Sequence, residues 1–171
     1  MRPLQPHPVL RAGAGPSGDA RRSHAVQPVS PDIVAYIDGG ARGNPGPAGY
    51  GVRIEHPDGT LIEEFGGSIG VATNNVAEYR ALIAALEWAR GRGHRAVHVR
   101  SDSLLLVEQM RGRYKVRNAG LQPLYGRARL IAHELGRVTF EHVGRSLNEH
   151  ADRLANTAMD DAAKPSSSSG A

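Results

Sequence analysis

Cysteine is absent from the 171-residue sequence, and its apolar runs are short. Without cysteine the chain can form neither a disulfide framework nor a zinc site built on thiolates, which fits a reducing cytoplasm. No apolar stretch approaches the roughly 20 residues that a membrane helix needs, and the first residues lack the continuous apolar core of a secretory signal. We therefore expect a cytoplasmic protein that does not enter a membrane.

Lysine is also scarce, because nearly all of the 21 basic residues are arginine. They outnumber the 17 acidic residues and give a formal net charge of +4. A positive balance suits a polyanionic partner, since each neutralised phosphate releases counterions, and arginine can bind phosphate through two parallel N–H groups. Many basic proteins bind no nucleic acid, however, and an arginine bias can reflect coding composition, so charge alone does not identify the partner.

Composition divides the chain into one domain and two tails. Residues 1–31 are rich in Pro, Gly, Ala and Arg without a sustained apolar period, which predicts a disordered tail; an arginine-rich transit peptide is the alternative. Residues 162–171 contain the run KPSSSSGA, which predicts a flexible end. Residues 32–161 remain as a single folded domain.

Between the tails, a hairpin is followed by alternating helices and strands. A Pro-Asp-Gly turn at residues 57–59 joins the second and third strands. This order predicts an α/β fold with a five-stranded mixed sheet, made of hairpin and parallel strands, and helices on both faces. The predicted strands are 33–37, 50–55, 60–66, 96–100 and 138–143, and the predicted helices are 76–90, 103–110, 121–135 and 147–160.

Two aspartates follow predicted strands. Asp38 comes after the first strand and Asp102 after the fourth. If these strands are parallel neighbours, both carboxylates reach the same carboxyl edge of the sheet, where α/β proteins bind ligands. Taken singly, either residue could be a turn residue or a helix N-cap. Because two acids occupy the same position relative to their strands, a ligand-binding site is favoured over two separate turn or capping roles.

Two further acids lie on or beside apolar helix faces. Glu78 lies on the apolar face of its predicted helix, where an uncompensated acid is costly, whereas Glu87 has the ordinary exposed placement. Asp152 neighbours a similar stripe in the last predicted helix. The stripe residues are Leu82, Ala85, Leu86 and Ala89 in the first helix, and Ala151, Leu154, Ala155 and Ala158 in the last.

Four carboxylates gathered at one sheet edge would repel each other, and their pKa values would rise. Divalent cations with oxygen ligands relieve this repulsion, and Mg²⁺ suits carboxylates that share it with substrate phosphates. Two such ions about 3.5–4 Å apart can activate a water and stabilise the leaving oxygen in phosphodiester hydrolysis. The residues therefore indicate a two-metal phosphoryl-transfer site without identifying the nucleic acid.

Four stretches of the sequence resemble type 1 ribonucleases H, over residues 32 to 160. Each stretch contains one of the four acids, and their order and spacing match the family. The stretches are YIDGGARGNPGPAGYG at 36–51, TNNVAEY at 73–79, SDS at 101–103 and NEHADRLAN at 148–156.

This resemblance implies a ribonuclease H-like fold and a catalytic domain at residues 32–161. The implied activity is that of an endoribonuclease that hydrolyses the RNA strand of RNA–DNA hybrids with two Mg²⁺ ions, or Mn²⁺ in their place, and leaves 5′-phosphate and 3′-hydroxyl ends. Asp38, Glu78, Asp102 and Asp152 are implied as catalytic carboxylates and metal ligands. We expect a monomer whose partner is the hybrid, with double-stranded RNA as a second candidate.

The resemblance also implies residues that contact the substrate. The turn at residues 38–44 would meet the RNA strand, where 2′-hydroxyls distinguish RNA from DNA. The segment before the Glu78 helix would contact both strands, although N-capping is its alternative role. The implied substrate-binding residues are Gly39, Gly40, Gly43, Asn44, Thr73, Asn74 and Asn75.

The sequence departs from the family pattern in three places. Arg145 stands where many members have an active-site histidine, so we predict a subgroup in which Arg145 assists catalysis; His142 is the alternative. Leu104 replaces a polar group that many relatives place at the RNA. Residues 110–121 are too few for the basic protrusion of some members, and their four basic residues form either a small basic patch or a solvated turn.

Two other function classes share some of these features. Transposases, integrases and junction nucleases use the same fold with three or four carboxylates, so the fold alone does not fix the substrate. The glycine-rich loop at residues 38–47 argues against them. An inactive nucleic-acid-binding module is disfavoured, because phosphate binding calls for cations rather than four converging acids.

Overall fold

The five-stranded mixed sheet predicted from the sequence is confirmed in the structure, a computed structural model that describes residues 30–165. Most of the predicted tails at residues 1–31 and 162–171, namely residues 1–29 and 166–171, lies outside the described residues. The strands are β1 (Ile33–Ala41), β2 (Gly46–Glu55), β3 (Leu61–Ala72), β4 (Ala96–Ser101) and β5 (Arg137–His142), in the order β3-β2-β1-β4-β5. The pairs β1–β2 and β2–β3 are antiparallel, and β1–β4 and β4–β5 are parallel.

Within residues 30–165, four α-helices connect or follow the strands, as predicted. They are α1 (Asn74–Gly91), α2 (Leu104–Met110), α3 (Gln122–Leu135) and α4 (Glu149–Ala163), and a short 3₁₀ turn at Arg145–Leu147 precedes α4. The last helix runs two residues past the predicted domain boundary at residue 161. Among the helices of residues 30–165, none combines the length and apolar character needed to cross a bilayer.

Two adjacent glycines of β1 indicate that helices cover both faces of the sheet. Consecutive residues of a strand face opposite sides. A Cβ atom on Gly39 would lie 2.3 Å from the backbone of Ala77 in α1, whereas a Cβ on Gly40 would lie 3.2 Å from the side chain of Met159 in α4. The helices α1 and α4 therefore pack on opposite faces, as the sequence predicted.

The strand β1 is longer than predicted, so Asp38 lies inside the strand and not after it. The strand continues because Gly39 and Gly40 pair with β2. Its parallel neighbour β4 stops earlier, since Ile37 is aligned with Ser101, the last residue of β4. Asp38 is therefore the first residue beyond the β1–β4 ladder, which keeps it at the carboxyl edge despite the corrected boundary.

Glycines of β2 allow α4 to approach the sheet closely. A Cβ on Gly49 would lie 2.6 Å from the Cβ of Ala158, and one on Gly51 would lie 2.4 Å from the carbonyl oxygen of Ala151, which is closer than real side chains come. Both β2 and β3 extend beyond their predicted bounds through such glycine-rich segments. Glycine weakens an isolated strand, so the glycine content of these segments favours a loop prediction. In the structure they are strands, and glycine is needed there because a helix packs closely against them.

The hydrophobic core lies mainly between the sheet and α1, with α3 packed beside α1. Leu82 and Leu86 of α1 are fully buried, as are Ile37 of β1 and Val99 of β4. This buried face of α1 is the apolar stripe that the sequence predicted, and it also contains Glu78.

Candidate active site

Three of the four predicted carboxylates converge at the carboxyl edge of the sheet. One carboxylate oxygen each from Asp38, Glu78 and Asp102 lies within 4.8 Å of the other two. The register of the sheet brings two of them together: Ile37 and Ser101 are aligned, so the residues that follow them, Asp38 and Asp102, are neighbours. Glu78 comes from α1, which packs over this edge.

Close packing of α1 on β1 positions Glu78. Thr73 directly precedes the helix, and its Oγ1 accepts a hydrogen bond from the backbone N–H of Val76 at 3.3 Å, so the N-capping role is confirmed for Thr73. Gly39 has no side chain to hold off the backbone of Ala77 and Glu78, which a Cβ would meet at 2.3 and 2.5 Å. Glu78 is consequently only 9% exposed, although it is an acid.

An open cavity of about 530 Å³ lies beside these acids. Asp152, in the first turn of α4, borders the cavity as a fourth and more exposed acid. Four acids, two arginines and an asparagine are among the lining residues: Asp38, Glu78, Asp102, Asp152, Arg42, Arg145 and Asn74.

Burial and mutual repulsion raise two pKa values at the site. Burial is the largest cause of the rise in the pKa of Asp38 to about 8, followed by the negative charge of Asp102 and by the nearby Asp152 carboxyl group. The pKa of Glu78 is raised well above its usual range, again first by burial and then by the charges of Asp38 and Asp102, while a hydrogen bond from the Gly39 N–H acts in the opposite direction. Among residues 30–165, no basic side chain lowers either of these pKa values.

The chemistry of this donor set fits a hard divalent cation. Glu78 Oε2 is buried and has no hydrogen-bond partner among the described residues. Leaving such an oxygen unpaired is costly, and carboxylate oxygens are the ligands that Mg²⁺ and Mn²⁺ prefer. A cation held by Asp38, Glu78 and Asp102 would satisfy this oxygen and neutralise the repulsion.

The residues predicted to bind substrate divide into two groups. Gly39, Gly40 and Asn74 line the cavity. The other four, all within the described part of the chain, are not among its lining residues: Gly43, Asn44, Thr73 and Asn75.

Asn44 and Asn74 tie the β1–β2 turn to the start of α1. Asn44 Oδ1 accepts a hydrogen bond from the Asn74 backbone N–H at 3.1 Å, and Asn74 Oδ1 accepts one from the Ala41 backbone N–H at 2.8 Å. Gly43 in the same turn has a φ of 86°, a left-handed conformation that favours glycine. These contacts give the turn a fixed shape beside the cavity.

Arg145 borders the cavity, whereas His142 contacts the backbone of Asp102. Arg145 is exposed at the start of the 3₁₀ turn and borders the cavity. His142 is the exposed last residue of β5, and its Nε2 lies 3.2 Å from the backbone carbonyl oxygen of Asp102. The histidine therefore contacts the chain at Asp102, while the arginine faces the open space next to the acids.

The other two departures from the family pattern lie on α2 and the loop after it. Leu104, the first residue of α2, is 48% exposed and offers no polar group. Arg111 and Arg113 both lie 3.4 Å from the largely buried carboxylate of Glu108. Part of the predicted basic patch is thus paired with an internal acid.

Three residues near the site were not predicted from the sequence. Arg42 and Met159 line the cavity, and Asn148 is buried with its Nδ2 2.9 Å from the carbonyl oxygen of Ile37, the residue before Asp38. Arg42 lies within the glycine-rich stretch, which drew attention to its glycines and Asn44. Met159 had no signal beyond its place near the apolar stripe of α4.

Comparison with known proteins agrees with this geometry. A family profile described as reverse transcriptase-like matches residues 36–158. The bifunctional protein Rv2228c of Mycobacterium tuberculosis is 50% identical over 133 residues, which cover 77% of this chain and 36% of that protein. This chain therefore spans about a third of that relative's length. A solved N-terminal RNase H domain of Rv2228c has a TM-score of 0.75 over 78% of this chain and 97% of that one, at 50% identity.

Two further relatives are similar over most of their own length. Ribonuclease HI of Halobacterium salinarum is 44% identical over 138 residues, covering 78% of this chain and 69% of that protein. A crystal structure of LC11-RNase H1 in complex with an RNA/DNA hybrid has a TM-score of 0.74 at 44% identity, over 77% of this chain and 99% of that one. Because the family profile spans residues 36–158 and the Halobacterium ribonuclease HI is 44% identical over 69% of its own length, the chain belongs to the ribonuclease H family.

Proposed function

We propose that this protein is an endoribonuclease that hydrolyses the RNA strand of RNA–DNA hybrids and leaves 5′-phosphate and 3′-hydroxyl ends. The observation that carries the proposal is the meeting of three carboxylate oxygens within 4.8 Å beside an open cavity. The hybrid as substrate is supported by the complex of the LC11 relative with an RNA/DNA hybrid.

In this proposal Asp38, Glu78, Asp102 and Asp152 hold two Mg²⁺ ions, and Mn²⁺ can replace them. When bound, such ions supply Lewis-acid chemistry, which activates a water and stabilises the leaving oxygen. The buried Glu78 Oε2, which has no partner among the described residues, and the raised pKa values of Asp38 and Glu78 support this assignment. A bound cation would pair with this oxygen and offset the burial and mutual repulsion that raise the two pKa values.

The groups on the rim of the cavity orient the substrate. We assign the RNA strand to the side formed by Gly40 and Asn74, both of which line the cavity. The hydrogen bonds of Asn44 and Asn74 hold the turn and the start of α1 in one arrangement before substrate binds. A site fixed in advance loses less conformational freedom on binding.

We assign an electrostatic role to Arg145. It borders the cavity with the four acids, so its guanidinium can lie beside the scissile phosphate or the leaving product. Arginine stays protonated at neutral pH and cannot act as a general base, whereas it can stabilise negative charge on a phosphate. His142, which contacts the carbonyl of Asp102, is not needed for this role.

A substrate panel tests the proposal. Wild-type protein and Asp102→Asn are incubated with end-labelled RNA–DNA hybrid, double-stranded RNA or double-stranded DNA, each with Mg²⁺, Mn²⁺ or EDTA. We expect the wild type to cut only RNA strands, with the hybrid as the preferred substrate, and to stop in EDTA. The variant should be inactive, and Asp58→Asn, a change at an exposed turn, is the matched control.

Two outcomes would contradict the proposal. Products with 2′,3′-cyclic phosphate ends would make the ribose hydroxyl the nucleophile and exclude an activated water. Cleavage of double-stranded DNA with the hybrid left intact would favour an integrase-like or junction-nuclease activity on the same fold.

A further inference from the structure

Asn148 connects three parts of the candidate active site. It lies between the 3₁₀ turn and α4 and is only 1% exposed. Its side-chain Nδ2 donates a hydrogen bond to the backbone carbonyl of Ile37 at 2.9 Å. Its backbone N–H donates to the carbonyl of Arg145, and its own carbonyl accepts from the N–H of Asp152, both at 3.0 Å. One residue thus contacts the peptide before Asp38, the turn of Arg145 and the first turn of the Asp152 helix.

The side chain of Asn148 does not have the role that its position suggests. Asparagine directly before a helix usually accepts a hydrogen bond from the first free N–H groups of that helix. Asn148 makes no such cap at α4. Its side chain instead extends to β1, across 111 residues of sequence.

Helix capping and burial therefore do not account for this asparagine. Its Oδ1 is buried with no hydrogen-bond partner among residues 30–165, and an unpaired buried oxygen destabilises a fold. An apolar residue of similar size would avoid that cost but could not donate to Ile37. The side-chain contact that favours asparagine at this position is its hydrogen bond to Ile37, in the strand that contains Asp38.

We propose that Asn148 is a positioning residue that fixes Asp152 and Arg145 relative to Asp38. This inference rests on the proposed function, since it concerns the geometry of the same reaction. Loss of the Nδ2 donor would remove the hydrogen bond that joins the start of α4 to the residue before Asp38. Small displacements of reacting groups lower the chemical rate more than they lower substrate binding.

Steady-state kinetics on the hybrid with Asn148→Ala test the proposal. We expect kcat to fall about tenfold or more, as for other groups that orient metal ligands, with KM little changed. The matched control is Asp32→Ala, which removes hydrogen bonds to the N–H groups of Arg95 and Ala96 at the opposite end of β1. It should lower the melting temperature but leave kcat unchanged, which separates positioning from stability.

A double-mutant cycle gives a second readout. If Asn148 acts partly through Asp152, the factor by which Asn148→Ala lowers kcat should shrink in the Asp152→Asn background. Equal factors in both backgrounds, or a wild-type kcat for Asn148→Ala, would overturn the proposal. If Asn148→Ala does not fold, Asn148→Leu, which has a similar size but no donor for the carbonyl of Ile37, enters the same cycle with the same deciding outcomes. A wild-type protein that does not cut the hybrid contradicts the proposed function, whereas an active wild type with a silent Asn148 contradicts this inference alone.

Discussion

Gly39→Ala tests whether close packing of α1 on β1 places Glu78 in the site. The added Cβ would lie 2.3 Å from backbone atoms of Ala77, whereas ordinary contacts begin near 3.4 Å. Because backbone atoms are involved, a change of side-chain rotamer cannot relieve the clash. The helix and the strand must move apart by about 1 Å at the residue next to Glu78, and a displacement of this size can cost about 100-fold in rate.

Stability should fall together with activity in this variant. Overpacking of this kind costs about 1–3 kcal/mol, which corresponds to a melting temperature lower by roughly 3–12 °C in a domain of this size. The measurements are kcat on the hybrid at saturating Mg²⁺ and thermal unfolding followed by circular dichroism. We expect kcat to be about 100-fold lower at a temperature where the variant is still folded.

Gly126→Ala is the matched control for Gly39→Ala. Gly126 is an exposed residue within α3, and a Cβ there meets no atom within 4 Å. Alanine should stabilise the helix by about 0.5–1 kcal/mol and leave kcat unchanged. A Gly39→Ala variant with wild-type kcat and melting temperature would refute the reasoning, because Glu78 would then not depend on this contact.

Two further predictions concern charge at the site. In EDTA, Asp38→Asn should stabilise the protein by an amount that grows from about pH 4 to pH 8, at up to about 1.4 kcal/mol per pH unit. The pKa of folded Asp38, about 8, lies above its unfolded value of 3.8, so the stability of the wild type falls as pH rises through this window. Urea unfolding at several pH values measures the difference in stability between the variant and the wild type. A stability gain that does not change with pH would contradict the prediction. Asp58→Asn should show no such gain, because a hydrogen bond with Thr60 lowers the pKa of Asp58. Arg145→Ala should lower turnover about tenfold with little change in hybrid binding, and Arg145→Lys should recover part of the lost turnover. His142→Ala should have little effect on turnover. Normal turnover in Arg145→Ala, together with low turnover and an altered pH–rate profile in His142→Ala, would assign the role to His142 instead.

The features that the sequence predicted are those with a local periodic signal. The apolar stripe of α1 placed Glu78 on the buried face, and the structure confirms both the stripe and the burial. Asp38 and Asp102 each follow a predicted apolar strand, and this local signal predicted that they meet if the two strands are parallel neighbours. The register confirms that the strands are parallel neighbours and that the two acids meet.

The features that the sequence did not predict depend on contacts between distant segments. Strand β1 continues past Asp38 because Gly39 and Gly40 pair with β2, and the reason for glycine there is the approach of α1 and α4. The bond from Asn148 to Ile37 joins residues 111 apart, and local propensity at Asn148 favours helix capping instead. A local sequence pattern carries no information on contacts between residues so far apart in the chain, so these contacts are found only in the folded structure.

The central claim is that buried acids at the sheet edge support metal-dependent cleavage of RNA. Its most direct test is the initial rate of RNA-strand cleavage in hybrid with saturating Mg²⁺, compared between Glu78→Gln and Glu87→Gln. Both changes remove a charge from α1, but Glu87 pairs with Arg127 at the surface. We predict that Glu78→Gln loses about 100-fold or more in rate while keeping its fold, and that Glu87→Gln cleaves like the wild type. Wild-type cleavage by Glu78→Gln would contradict the account.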